Sequence, residues 1–112
     1  MLGGLIGKKL SAKDLVWCFA NCYAGCGDHC PPHRDSRSID GTVVVVLKSP
    51  GKLPFLISKM GPCNKDLNST WEERLLDKGS MIAMAGSGVT HKFPSSELVT
   101  KESPRMTLNF FF

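Results

Sequence analysis

Three residues in this chain have the types and spacing to hold one metal ion. His33 and Asp35 stand two apart, and an isolated histidine, His91, lies far downstream. On a strand, residues i and i+2 face the same side, so His33 and Asp35 would present an imidazole and a carboxylate together. Two imidazoles and one carboxylate, with coordination positions left open, are the ligand set of non-haem Fe(II) sites that activate O2. Arg105 adds a planar fork suited to a carboxylate cosubstrate. Alone, His-x-Asp is a common triplet whose ordinary form is a solvated histidine beside a surface aspartate. The setting argues for more. Pro31-Pro32 enforces an extended approach to His33. Arg105 opens an apolar, aromatic terminal segment, where an unpaired cation is costly.

The elements that must position these groups read as short strands between turns. Residues 42–47 are a β-branched run, typical of a strand buried on both faces. Ser49-Pro50-Gly51 marks a turn, and residues 53–58 resume a strand, with Pro54 near its start. Residues 61–68 are a loop. Residues 75–78 lead into a turn at Gly79, residues 80–85 form a strand, and Gly86-Ser87-Gly88 turns again. Residues 89–93 alternate and carry His91. Residues 105–112 form the last strand, with Met106, Leu108, Phe110 and Phe112 on one face and Arg105, Thr107, Asn109 and Phe111 on the other. At the N-terminal end, residues 11–19 read as a short helix with Ser11 as N-cap, Asp14 as capping-box partner, and Leu10, Leu15, Trp17 and Phe19 toward the core. The expected fold is mainly β, a double-stranded β-helix (jelly roll) with one short N-terminal helix.

Composition narrows the function classes. The 112 residues fit a single domain, 1–112, or one excised from a longer chain. A hydrophobic fraction of 42% with 21% charged residues is incompatible with a disordered chain. The net charge of +4 and pI of about 8.9 permit contact with a phosphate backbone without demanding it. No apolar run is long enough to span a bilayer, and the first residues lack the order of a signal peptide. Five cysteines cannot all pair within one chain, so free thiols in the reducing cytoplasm are expected.

Two other readings of the residues stay open. Cys18, Cys22, Cys26, His29, Cys30 and His33 offer more than enough ligands for a zinc module, although only Cys63 follows downstream. Alternatively, the chain is an inactive RNA-binding domain. Asp28, His29 and Lys92 flank the candidate site and read as solvated loop residues. Trp17 and Trp71 are candidates for stacking on a base, with core packing the better reading for Trp17.

Taken in order, Asn21-Cys22-Tyr23-Ala24-Gly25, Pro32-His33-Arg34-Asp35, His91 and Arg105-Met106-Thr107-Leu108-Asn109-Phe110 resemble the AlkB-like branch of the 2-oxoglutarate/Fe(II) dioxygenases. That pattern is Asn-x-Tyr-x-x-Gly, His-x-Asp, a distal His, and Arg-x-Asn-x-Thr-x-Arg. The chain is also similar to compact domains embedded in some RNA-virus replicase polyproteins. The resemblance implies Fe(II) at His33, Asp35 and His91. It implies 2-oxoglutarate held by Arg105, Tyr23 and Asn21. The implied reaction uses O2 to remove N-methyl groups from bases in single-stranded nucleic acid, RNA ahead of DNA, with a protein side chain as the alternative substrate. Phe111 stands where the family has its second arginine, and Thr107 and Asn109 have exchanged residue types.

Overall fold

The β-branched run Thr42-Val43-Val44-Val45-Val46 is the central piece of the fold. The computed structural model, which describes residues 12–35, 40–58, 71–85 and 89–112, builds eight strands. They are β1 (Trp17–Tyr23), β2 (Cys30–His33), β3 (Gly41–Lys48), β4 (Leu53–Ser58), β5 (Trp71–Leu76), β6 (Met81–Ala85), β7 (His91–Phe93) and β8 (Arg105–Phe111). All pairings are antiparallel, in two four-stranded sheets ordered β1-β8-β3-β6 and β2-β7-β4-β5. Except for β4 and β5, which form a hairpin in one sheet, each strand crosses to the opposite sheet from its predecessor. This is the jelly-roll winding expected from the sequence.

The core lies between the sheets. Tyr23, Val44, Val46, Leu53, Phe55, Leu76, Met84, Phe93 and Val99 form one buried cluster. β3 is buried on both faces, as its unbroken β-branched run demands, with Val43 and Val44 almost inaccessible. β8 alternates strictly, and its inward set is Arg105, Thr107, Asn109 and Phe111. The last strand therefore turns its polar residues into the protein.

The helix expected over residues 11–19 does not form. Among the described residues that stretch is a three-residue 3-10 turn, Ala12–Asp14, followed by β1 from Trp17. The run Trp17-Cys18-Phe19 favours a strand, and pairing with β8, from Trp17 opposite Phe111 to Tyr23 opposite Arg105, overrides weak helical spacing. Leu15 and Trp17 accordingly lie exposed rather than in the core, and only Phe19 of that set turns toward the site. Ser11 and Leu10 lie outside the described residues, as do the loop over 61–68, Cys63 and the turn over 86–88. β5 was not expected. Its sequence Trp-Glu-Glu-Arg-Leu-Leu has no period-2 apolar pattern and owes its extended form to full-length pairing with β4. Pro54 is tolerated because it lies opposite Leu75, outside the Leu56–Ile57 stretch where β4 pairs with β7. No helix among the described residues is long and apolar enough to cross a membrane.

Candidate metal centre

Two prolines shape the strand that carries His33. Pro31 and Pro32 cannot donate to the ladder, and the β2–β7 register shifts between Cys30 and His33. Residues three apart on a regular strand face opposite sides. The irregularity instead lets both Cys30 and His33 turn inward, where they line one cavity. β2 ends at His33, and Asp35 follows just beyond it. Across the pairing, His33 stands directly opposite His91. Their rings approach edge to face, with centroids 4.2 Å apart.

Asp35 sits between the two rings. Its Oδ1 lies 3.3 Å from His33 Nε2 and its Oδ2 3.2 Å from His91 Nε2. One ligating atom from each residue falls within 4.8 Å of the others. Neighbouring ligands on one first-row ion, each about 2.1 Å from it, stand about 3 Å apart. The observed contacts are hydrogen-bond distances to the two oxygens of Asp35, and the three groups lie close enough together to surround one ion. Both Nδ1 atoms are committed elsewhere: His33 Nδ1 is 2.7 Å from the Pro31 carbonyl, and His91 Nδ1 is 2.9 Å from the Val89 carbonyl. With Nδ1 turned to a backbone carbonyl, each ring is held so that its Nε2 faces Asp35 and the shared point, the ring orientation used in metal sites.

Electrostatics fit the same picture. Burial works against the Asp35 carboxylate, but hydrogen bonds from His33 and His91 outweigh it and hold its pKa well below the usual carboxylate range. The hydrogen bond to Asp35, helped by Cys30, pushes His33 up to about 10. His91 is buried, stacks on Phe55 at 5.4 Å, and is closed in by an apolar shell that includes Phe93 and Val44. The enclosed space beside the triad is a cavity of about 20 Å3, bounded also by Phe19, Asn21, Tyr23 and Asn109. It adjoins a cleft of about 530 Å3 that shares Asn21, Tyr23 and Cys30 as walls.

Arg105 is the second unusual group. It is only 3% exposed, its guanidinium sits 4.0 Å over the Phe93 ring, and its Nε and Nη2 have no hydrogen-bond partner. Burial pushes its pKa down to about 10, with Tyr23 opposing, so it stays charged at neutral pH. Tyr23, opposite Arg105 in the β1–β8 ladder, packs edge to face on Phe93 at 5.9 Å. Burial, and then the neighbouring Cys30, raise its hydroxyl above the usual tyrosine range. Of the residues that the motif resemblance assigns to a cosubstrate, Tyr23 and Asn21 line both the small cavity and the larger cleft. Arg105 lines neither of these two spaces; its guanidinium packs on the ring of Phe93, which lines the small cavity.

The other sequence candidates sort cleanly. Asp28 accepts hydrogen bonds from the Ala24 and Gly25 amides, both at 2.9 Å, and is a loop-shaping residue. Lys92 lies 4.3 Å from the Trp71 ring centroid. Of the proposed zinc ligands, Cys18, Cys22 and Cys26 are exposed thiols, and among the described residues only the His33–Asp35–His91 group gathers ligands closely enough for a metal. Sequence reasoning missed Cys30, Phe93 and Asn109 as lining residues. Phe93 and Asn109 follow from period-2 spacing after His91 and Arg105. Cys30 does not, because the irregularity in β2 changes its face.

No family model and no curated protein matches the chain. Its similarities are to solved structures. One is an oxidoreductase of the 2OG-Fe(II) oxygenase family from Burkholderia pseudomallei, at TM-score 0.64 and 14% identity over 87% of this chain and 41% of that one. A second is a prolyl-4-hydroxylase from Pseudomonas putida, at TM-score 0.57 and 13% identity over 84% and 50%. A third is a cupin domain from Bordetella pertussis, at TM-score 0.51 and 12% identity over 84% and 77%. The chain spans half or less of the first two. At these identities the likeness establishes a shared architecture, the double-stranded β-helix on which 2OG-Fe(II) oxygenases and cupins are built.

Proposed function

We propose that the chain is a 2-oxoglutarate- and Fe(II)-dependent oxygenase that removes N-methyl groups from bases in single-stranded nucleic acid, RNA ahead of DNA. One observation carries the oxygenase reading: two imidazoles with tethered Nδ1 atoms and one carboxylate, the ligand set of non-haem Fe(II) oxygenases, gather within 4.8 Å of one another. The fold by itself does not decide, since similar structures include a vicilin and a dTDP-4-dehydrorhamnose 3,5-epimerase.

His33, Asp35 and His91 would hold Fe(II), which when bound supplies the O2 chemistry that couples decarboxylation of 2-oxoglutarate to oxidation of substrate. Arg105 grips the distal carboxylate of 2-oxoglutarate, the anion that its unsatisfied, buried guanidinium lacks. Tyr23 and Asn21 donate to the cosubstrate from the cleft wall. Phe55, Phe93 and Val44 keep bulk water from the reacting atoms. Overall, O2 and 2-oxoglutarate give succinate and CO2, and the methyl carbon leaves as formaldehyde with the N–H base behind.

The nucleic-acid substrate rests on the ordered motif resemblance, the basic balance, and exposed Arg34 beside His33. Arg37, two residues after Asp35 in the sequence, adds to the local positive charge and lies outside the described residues. A methylated base must leave its stack, which is cheapest in single strands. A protein side chain is the second reading, favoured by the similarity to a prolyl-4-hydroxylase. The test is succinate and formaldehyde release with Fe(II), 2-oxoglutarate and a panel of methylated oligonucleotides and proline peptides. Formaldehyde from oligonucleotides supports the assignment. Turnover on peptides alone transfers it to protein.

A further inference from the structure

Edge strands expose unpaired N–H and C=O groups, and folds commonly guard them with charge, proline or bulges. The β2-β7-β4-β5 sheet is guarded at both edges. β2 carries Pro31-Pro32 and a register shift, and β5 carries Glu72, Glu73 and Arg74. β1, an edge of the other sheet, has no such guard. Its seven residues, Trp17–Tyr23, include no charge and no proline, and they pair with β8 in unbroken register. Among the described residues β8 is its only strand partner. Phe19, Asn21 and Tyr23 line the small cavity, so Cys18, Ala20 and Cys22 face outward, and all three are exposed. β6, the opposite edge, is also uncharged, but it is shorter and only its end residues Met81 and Ala85 are exposed. The row that crosses the outer face from Ala20, through Leu108 and Val45 to Met81, is apolar across the whole sheet.

We infer that β1 is a self-association edge: two copies of this chain pair antiparallel through β1 about a two-fold axis at Ala20. The two four-stranded sheets then join into one continuous sheet. An uncharged strand meets its own copy without like-charge repulsion, although the chain carries a net charge of +4. Ala20 is the middle residue of β1, so full-length pairing puts the smallest side chain of the strand at the axis. Cys18 then stands opposite Cys22 of the second copy on the outer face. Trp17, itself half exposed, stands opposite Tyr23 of the second copy on the inner face. Asn21, Cys22 and Tyr23 are the β1 residues that line the cleft of about 530 Å3. Each of them faces a residue of the other copy, whose strand becomes part of the wall of that cleft. The inference does not rest on the oxygenase reading.

The experiment is sedimentation velocity of the reduced full chain over a concentration series reaching about 0.1 mM, where even a weak interface assembles. Wild type should be a dimer at the top of the series. Ala20→Lys and Ala20→Glu each place like charges at the axis and should weaken association about tenfold or more. An equimolar mixture of the two variants should dimerise again, which unfolded chains would not do. A measurement on the unaltered chain covers failure of either variant to fold. Diamide, which takes two hydrogens from a pair of thiols, should give a disulfide-linked dimer, and fragmentation of its peptides should join Cys18 of one copy to Cys22 of the other. Wild type that stays monomeric throughout the series overturns the inference. So does a dimer that both charged variants leave unweakened, or a mixture of folded variants that stays monomeric. Links only from Cys18 to Cys18 or from Cys22 to Cys22 overturn the antiparallel register about Ala20.

Discussion

The triad and Arg105 are both groups of polar atoms inside a small apolar fold, but they are satisfied to opposite degrees. Asp35 meets both Nε2 atoms, and both Nδ1 atoms meet backbone carbonyls. Arg105 is as deeply buried as His91, yet two of its guanidinium nitrogens meet nothing and its principal contact is the Phe93 ring. Burying a charge is costly unless it is paired. The triad is therefore a self-consistent metal-free arrangement, while Arg105 is shaped for an anion supplied from outside. Hydrogen bonds within the fold account for the first, and the proposed 2-oxoglutarate contact would account for the second.

The largest effect expected from breaking this contrast is at the ligands. His91→Ala or Asp35→Ala should weaken Fe(II) or Mn(II) binding about 100-fold or more, taking on the order of 3 kcal/mol per ligand from the affinity of multi-ligand sites. Anaerobic metal titration with elemental analysis measures it.

Arg105→Met comes next and should do the reverse of what loss of a structural residue does. Metal binding and thermal stability without ligand should be kept, stability even rising by up to about 2 kcal/mol, because a buried unpaired charge is gone. The 2-oxoglutarate requirement should rise about 10- to 100-fold, the worth of a charge-assisted bidentate contact. Saturating 2-oxoglutarate should stabilise the metal-loaded wild type by about 2.7 kcal/mol at 100 times its Kd, and the variant scarcely at all. Thermal melts with and without 2-oxoglutarate read both arms.

Smaller and graded is the pH dependence of metal uptake. In the metal-free protein the Asp35 contact keeps a proton on His33 up to about pH 10. The ion must displace that proton, so affinity should rise with pH, about tenfold per unit between pH 6 and 8 for one proton released. The same shift has a stability consequence of opposite direction. A pKa raised from 6.5 to about 10 on folding stabilises the metal-free fold fully below pH 6.5 and is lost as pH rises toward 10. Melts of chelated protein across that window should fall with pH, and Asp35→Asn should flatten the trend.

The smallest change is expected at Asp28. Asp28→Ala should cost about 0.5–1 kcal/mol of stability by freeing two exposed amides, and leave metal binding unchanged. A fall in metal affinity there would move Asp28 from the loop into the site.

Much of this was legible in the sequence, for reasons that differ by residue. β3 and β8 could be read because β-branched runs and strict alternation are local signals, and alternation alone placed Arg105, Thr107 and Asn109 on one face. The triad was legible through His-x-Asp spacing plus one isolated histidine. The first three residues of β1, Trp17 to Phe19, were misread as the end of a helix because their extended form comes from pairing with β8, a contact far away in sequence. β5 was missed for the same reason, its partner being β4. Cys30 was hidden by the register shift beside Pro31-Pro32, which periodicity cannot anticipate. The same Cys-rich stretch suggested a zinc module, and only the exposure of Cys18, Cys22 and Cys26 separates those thiols from the one at the centre.

The most direct measurement is oxygen-dependent conversion of 2-oxoglutarate to succinate by the anaerobically reconstituted Fe(II) protein. Wild type should form succinate above the free-iron background. Asp35→Ala should lose that activity at any 2-oxoglutarate concentration, and Arg105→Met should recover it only at high 2-oxoglutarate. Folded, iron-loaded wild type that forms no succinate, with or without methylated oligonucleotide or peptide, would leave a metal-binding β-domain that is not an oxygenase.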